Sequence, residues 1–189
     1  MLRDLVIKNR SYRRFFEEAV IERESLVELV ELGRLSASAA NLQPLRYILS
    51  YERGKNGLIF EQLEWAGYLK DWAGPAEGER PAGYIVILGD KRVSGTFGCD
   101  HGIAAQSILL GAAERGLGGC MVGSIHREEL AEALNIASDY EILLVVALGK
   151  PREEVVIETV GTEGDIKYWR DGEGRHHVAK RSLDDIIIG

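Results

Sequence analysis

Apolar and polar positions alternate along this chain with two periods. Leu2, Leu5 and Val6 fall at i, i+3 and i+4, with Arg3, Asp4 and Lys8 opposite, which predicts a short amphipathic helix running into a turn at Arg10-Ser11. Leu26, Leu29, Val30 and Gly33 mark one face of a second helix that continues towards Ala37. After Pro44, residues 45–51 have the β-rich composition of a strand. Leu58, Phe60, Leu63, Trp65 and Leu69 predict a helix over 57–72, ended by a Gly/Glu/Pro-rich loop at 74–81. Two continuous apolar runs, 84–88 and 142–148, predict strands buried on both faces. Between them, 103–115 is apolar or small on nearly every side and predicts a helix buried all round, and 128–135 reads as a short surface helix. The final third is irregular, apart from a charged glycine turn at 170–174 and an apolar tail, Leu183 to Ile188.

The pattern predicts one α+β domain over 1–189, a small central mixed sheet flanked by helices. An all-apolar central helix and an Ile-Ile-Ile tail are more surface than one copy of this size covers, which predicts a homodimer. The alternative is a monomer whose own loops cover both.

Composition narrows the function. The net charge of −7 argues against a nucleic-acid partner, so the basic clusters near the two ends suit one small anion better than a polymer. Cys99 and Cys120 are too few for a disulfide framework and read as reduced thiols of a cytoplasmic protein. The first residues show no signal-peptide stretch, and no segment approaches a membrane span. Glycine makes up 22 of 189 residues, above the usual ~7%. Several of these glycines cluster where a ligand would need close backbone approach.

Four segments could carry chemistry. Arg10 and Arg13 with the Ser11 hydroxyl offer two forked guanidiniums and a neutral donor, which suits a phosphate monoester; a solvated patch at a helix end is the plainer reading. Lys180-Arg181 adds two cations if the chain folds back. Ser38, Asn41 and Gln43, spaced by alanines, could pair with the edge of a pyrimidine-like ring, or simply make turns. Gly116 to Gly123 is not a dinucleotide fingerprint, because a helix precedes it and its sixth residue is Met121. It could present bare backbone to a flat ligand, with Gly116 as a helix C-cap. Gly98-Cys99-Asp100-His101-Gly102 imitates a nucleophile elbow, but Val93 to Thr96 is a poor strand to precede one, so Asp100 is expected to cap the next helix. The four histidines lack metal-ligand spacing, so no metal is expected.

As an ordered set, these segments resemble the nitroreductase family of FMN-dependent oxidoreductases. The resemblance rests on Arg10-Ser11-Tyr12-Arg13-Arg14-Phe15, Ser38 to Pro44, Asp100 to Gln106, Gly116 to Cys120, Leu148 to Pro151 and Lys180-Arg181, spanning roughly residues 5 to 185. It implies a nitroreductase-like homodimer, with a C-terminal extension packing on the partner and FMN in a groove between subunits. Arg10, Ser11, Arg13, Lys180 and Arg181 would bind the phosphate. Ser38, Asn41 and Gln43 would serve the ribityl chain and ring, from either subunit. The backbone of Met121, Val122 and Gly123 would approach the ring near N5, which carries the hydride, so no side chain is expected to be catalytic. Ala37, Leu45 and Asn9 depart from the family's usual Pro, Trp and Arg. The implied activity is ping-pong transfer of hydride from NADH or NADPH to a nitroaromatic, a quinone or a similar electron-poor acceptor, in a pocket built from 60–81. Alternatives are flavin binding without turnover, or another reductive reaction such as dehalogenation or enone reduction.

Overall fold

The computed structural model describes residues 1–161 and 163–189. The chain runs α1 (Leu2–Lys8), β1 (Phe15–Phe16), α2 (Arg23–Arg34), a 3-10 turn (Ala39–Asn41), β2 (Leu45–Ser50), α3 (Arg53–Phe60) and β3 (Gly83–Asp90). It continues through α4 (Asp100–Glu114), β4 (Gly118–Val122), α5 (Arg127–Ala133), β5 (Tyr140–Pro151), β6 (Val155–Thr159), β7 (Trp169–Arg170), β8 (His176–Lys180) and α6 (Leu183–Ile186). No helix among the described residues is long and apolar enough to cross a membrane.

β2, β3, β5 and β4 form the central sheet with antiparallel neighbours, and β1 pairs with the end of β5. Every residue of β3 is buried, as its unbroken apolar run predicts. One face packs Ile85, Ile87 and Val146 against Leu26 and Leu29 of α2 and Ala105, Ile108 and Ala112 of α4. The other packs Tyr84, Val86 and Val145 against Ile59 of α3 and Leu130 of α5. Parallel pairing enters at a bridge between Ser11 and Gly119 and in a second sheet, ordered β6-β8-β7.

The structure corrects several expectations. The helix expected at 57–72 stops at Phe60, and a helix begins earlier, at Arg53. The Glu64 and His126 amides donate to the Ser124 and Gln62 carbonyls, and Leu63 bridges Ile125. These bonds draw the backbone out of the helix, and the left-handed Ala66 (φ 43) completes the departure. α2 ends at Arg34 rather than Ala37. Helix α4 is buried on one side only, with Ile103 and Gln106 exposed. The stretch 118–122 is a strand, and the final third holds a sheet rather than irregular chain. The tail from Leu183 to Ile188 lies exposed on this chain.

Candidate functional site

Three glycines seat the N-terminal basic segment on the sheet. Gly118 and Gly149 stand opposite each other on β4 and β5. A Cβ on Gly118 would lie 2.4 Å from the Tyr12 ring, and one on Gly149 would lie 2.7 Å from Phe15. The absent side chains let both rings lie against the strands. Between them Ser11 bridges Gly119, and the Tyr12 amide donates to the Gly119 carbonyl at 3.0 Å. Residues 11–15 thus cover the start of the β4 edge.

This seating divides the three arginines. Arg14 pairs with Glu79. Arg10 donates from Nη2 to the Val6 carbonyl at 2.7 Å, while its buried Nε has no partner among the described residues. Arg13 donates from Nη1 to the Ser11 carbonyl at 3.3 Å, lies 3.2 Å from Nε2 of His176, and holds its guanidinium 4.7 Å from the Tyr168 ring. The Glu153 carboxylate accepts instead from the Arg13 and Arg14 backbone amides and pairs with Arg170 at 2.8 Å. Among the described residues neither Arg10 nor Arg13 has an ion-pair partner. Two cations and a buried unpartnered donor fit a phosphate ester.

The neighbouring groups leave those cations free. Burial lowers the His176 pKa to about 4, helped by the charges of Arg13 and Arg170, so at neutral pH the ring is uncharged. Burial raises the Cys120 thiol, opposed by Arg13 and the Ser11 hydroxyl. Cys120 is therefore an inert wall. His177 has both ring nitrogens on carboxylates, Glu158 at 2.5 Å and Asp171 at 3.1 Å, and stacks on Trp169 at 4.2 Å. Hydrogen bonds to Asp171 and then Glu158 raise its pKa. No group of three or more metal-binding side chains occurs among the described residues.

Lys180 and Arg181 stand apart from this cluster. β8 meets Arg13 at His176, its first residue, whereas Lys180 is its last, roughly 13 Å along an extended strand. No hydrogen bond or ion pair among the described residues joins Lys180 or Arg181 to Arg10, Ser11 or Arg13.

The Ser38–Gln43 loop is built on Asp100. The Asp100 carboxylate accepts from the Ser38 hydroxyl at 2.6 Å and the Ala39 amide at 3.0 Å. Asp100 is therefore a tether for this loop and not the expected helix cap, which falls at Cys99. The Ser38 oxygen also accepts from the Gln43 amide at 2.9 Å, so its proton and one of its two lone pairs are used within the loop. Gln43 donates from its side chain to the Asn41 carbonyl at 3.2 Å, and the Asn41 side chain is exposed. Ala40, Asn41 and Gln43 all take left-handed backbone, with φ of 49, 56 and 52. Within one chain, no hydrogen bond among the described residues connects this loop to Arg10, Arg13 or 121–123.

At the far end of β4 the backbone is open. Met121 is half-buried, Val122 buried and Gly123 exposed, and a Cβ on Gly123 would meet nothing within 4 Å. Arg127 holds this end by donating to the Gly123 and Ile142 carbonyls at 3.3 and 3.0 Å. The sequence reading missed Arg127 and Glu153; the partners of Glu153 lie 140, 139 and 17 residues away along the chain. It met His176 only as a poor metal ligand.

Residues 80–150 match the model of the nitroreductase family. Over 157 residues the chain is 26% identical to an Archaeoglobus fulgidus protein named as an NADH dehydrogenase/NAD(P)H nitroreductase, covering 79% of this chain and 85% of that one. An FMN-dependent nitroreductase of Clostridium difficile superposes with a TM-score of 0.65 at 23% identity, covering 79% and 87%. A nitroreductase from Exiguobacterium sibiricum, solved in complex with FMN, superposes with a TM-score of 0.66 at 16% identity, covering 80% and 89%. The matched segment spans the buried strand β3, helix α4, β4, α5 and nearly all of β5. In that segment the chain is similar to the nitroreductase family, and its fold is that of the superposed nitroreductases.

Proposed function

We propose that this protein is a homodimeric FMN-dependent oxidoreductase that uses NADH or NADPH to reduce nitroaromatic, quinone or similar electron-poor acceptors by a ping-pong scheme. The observation that carries the reading is the pair Arg10 and Arg13, without ion-pair partners among the described residues, at one end of β4, just past whose other end the backbone is bare at Gly123. When bound there, FMN supplies the two-electron chemistry that the side chains lack.

Arg10, Ser11 and Arg13 hold the phosphate. The Tyr168 ring and the uncharged His176 contact Arg13 without neutralising it. The backbone of 121–123 lies along the ring, and Arg127 fixes its last carbonyl. Ser38, Asn41 and Gln43 come from the second copy, with Ser38 and Asp100 shaping the loop that presents Asn41. The dimer also covers Leu2, Val6, Ile7, Leu35 and Ile103, all exposed on one chain. The Archaeoglobus and Clostridium names support the reductant and the cofactor.

Purified protein should be yellow, bleach on NAD(P)H and recover colour with a quinone. A yellow protein that no nicotinamide bleaches is a binder without turnover, and a colourless protein that FMN cannot reconstitute ends the reading. Arg13→Ala should weaken FMN by roughly ten- to a hundredfold, as loss of a charge-assisted bond of about 1.5–3 kcal/mol requires. Flavin retained at full stoichiometry in that variant would remove Arg13 from the phosphate site.

A further inference from the structure

A cleft of about 600 Å³ opens between α3 and the 77–82 segment, and its lining includes none of the residues assigned to the flavin. That volume suits a small molecule. Most polar groups around it are already spent. Asn56 accepts from the Ser50 hydroxyl and donates to the Ala82 carbonyl, at 2.7 and 2.8 Å. Glu17 accepts from the Gly78 amide at 2.6 Å, and Arg53 pairs with Glu77 at 3.2 Å.

Two donors are not spent. Arg80 has no ion-pair partner among the described residues, its guanidinium lies 4.4 Å from the Phe60 ring, and its buried Nε has no acceptor. The Tyr84 hydroxyl is buried and also lacks a partner among the described residues. Burial keeps this phenol protonated, with Arg80 pulling the other way, so it remains a donor. A flat cation and a hydroxyl together lack an oxygen acceptor carrying negative charge. Glu17, Glu18 and Glu77 also line the cleft, which penalises a dianion more than a monoanion. Val20, Phe60, Pro81 and Ala82 supply apolar walls.

We propose that this cleft is a second ligand site, which takes a small monocarboxylate with a flat apolar body, its carboxylate on Arg80 and Tyr84. The test is a ¹⁹F NMR titration of 4-fluorobenzoate into the purified flavin-loaded protein, with uncharged 4-fluorobenzamide in parallel. The expected result is saturable benzoate binding, at least roughly tenfold weaker for the amide and in both Arg80→Gln and Tyr84→Phe. The visible flavin spectrum should not move during the titration. Both variants keep the apolar core, and thermal melts verify their folding. Absence of saturation up to about 10 mM overturns the proposal. So does benzoate binding that both variants retain, which would place the ligand elsewhere, including over the flavin.

Discussion

Asp100→Ala tests whether the candidate ring-contacting loop is held against its own backbone preferences. The wild-type carboxylate accepts two bonds, from the Ser38 hydroxyl and the Ala39 amide, while nearly fully buried. Charge-assisted bonds of this kind contribute about 1.5–3 kcal/mol each, so together about 3–6 kcal/mol. Against them stands the left-handed backbone of Ala40 and Gln43, at roughly 1–2 kcal/mol each; Asn41 tolerates that region better. The acid in the first turn of α4 adds about 0.3–1 kcal/mol through the helix dipole. The bonds win by a small margin, so deleting them reverses the balance. The loop then relaxes, and Ser38 and Ala39 turn to water instead of remaining buried and unpaired.

The expected global loss is therefore only about 1–3 kcal/mol, read from the urea midpoint, because strain relief offsets part of the lost bonding. The local effect is larger. Amide hydrogen exchange at 38–43 should approach that of an open loop, and FMN should bind at least roughly tenfold more weakly. Unchanged exchange protection in 38–43, with an unchanged midpoint, would refute the tether.

Two glycines, one within β4 and one just past its end, should behave oppositely. Gly119→Ala places a Cβ 2.5 Å from the Ala147 carbonyl oxygen and should lower stability by about 1–3 kcal/mol in thermal melts. Gly123→Ala meets no atom and should stay within about 0.5 kcal/mol, yet lose flavin affinity; intact affinity there would move the ring away from β4. The C-terminal sheet should loosen on both sides of neutrality. The raised pKa of His177 gives stability that is complete below the ordinary value of about 6.5 and lost as pH rises through the folded value. His176, lowered to about 4, acts in the other direction, since between about 6.5 and 4 the unfolded chain takes up the proton first. Trp169 fluorescence followed against pH reads the alkaline limb, and His177→Gln should flatten it; an unchanged limb would show that the clasp does nothing.

Much of this fold was legible because its signals are local. The unbroken run at 84–88 could only be a doubly covered strand, and the 3.6-residue stripe of α2 had one face to bury. The 57–72 expectation failed because Gln62, Leu63 and Glu64, inside a run of helical spacing, find backbone partners at 124–126, a tertiary choice no window of sequence contains. The C-terminal sheet was invisible for a similar reason. β7 is two residues long, and β8 is stabilised by His177 between acids from two other segments. At the candidate site, residue types identified Arg10 and Arg13 but could not separate them from Arg14, since only the fold shows which guanidinium Glu79 has taken. Asp100 was misread because a carboxylate at a helix start looks like a cap until its long-range acceptor role appears.

The facing glycines Gly118 and Gly149 have a consequence beyond packing. If β4 slid along β5 so that Leu117 took the place of Gly118, its side chain would stand where the Tyr12 ring lies and evict that ring. The anchored residues Ser11 and Arg13 would be dislodged with it. The sheet thus proofreads its own alignment, and only a correctly threaded molecule retains the capacity to grip its ligand.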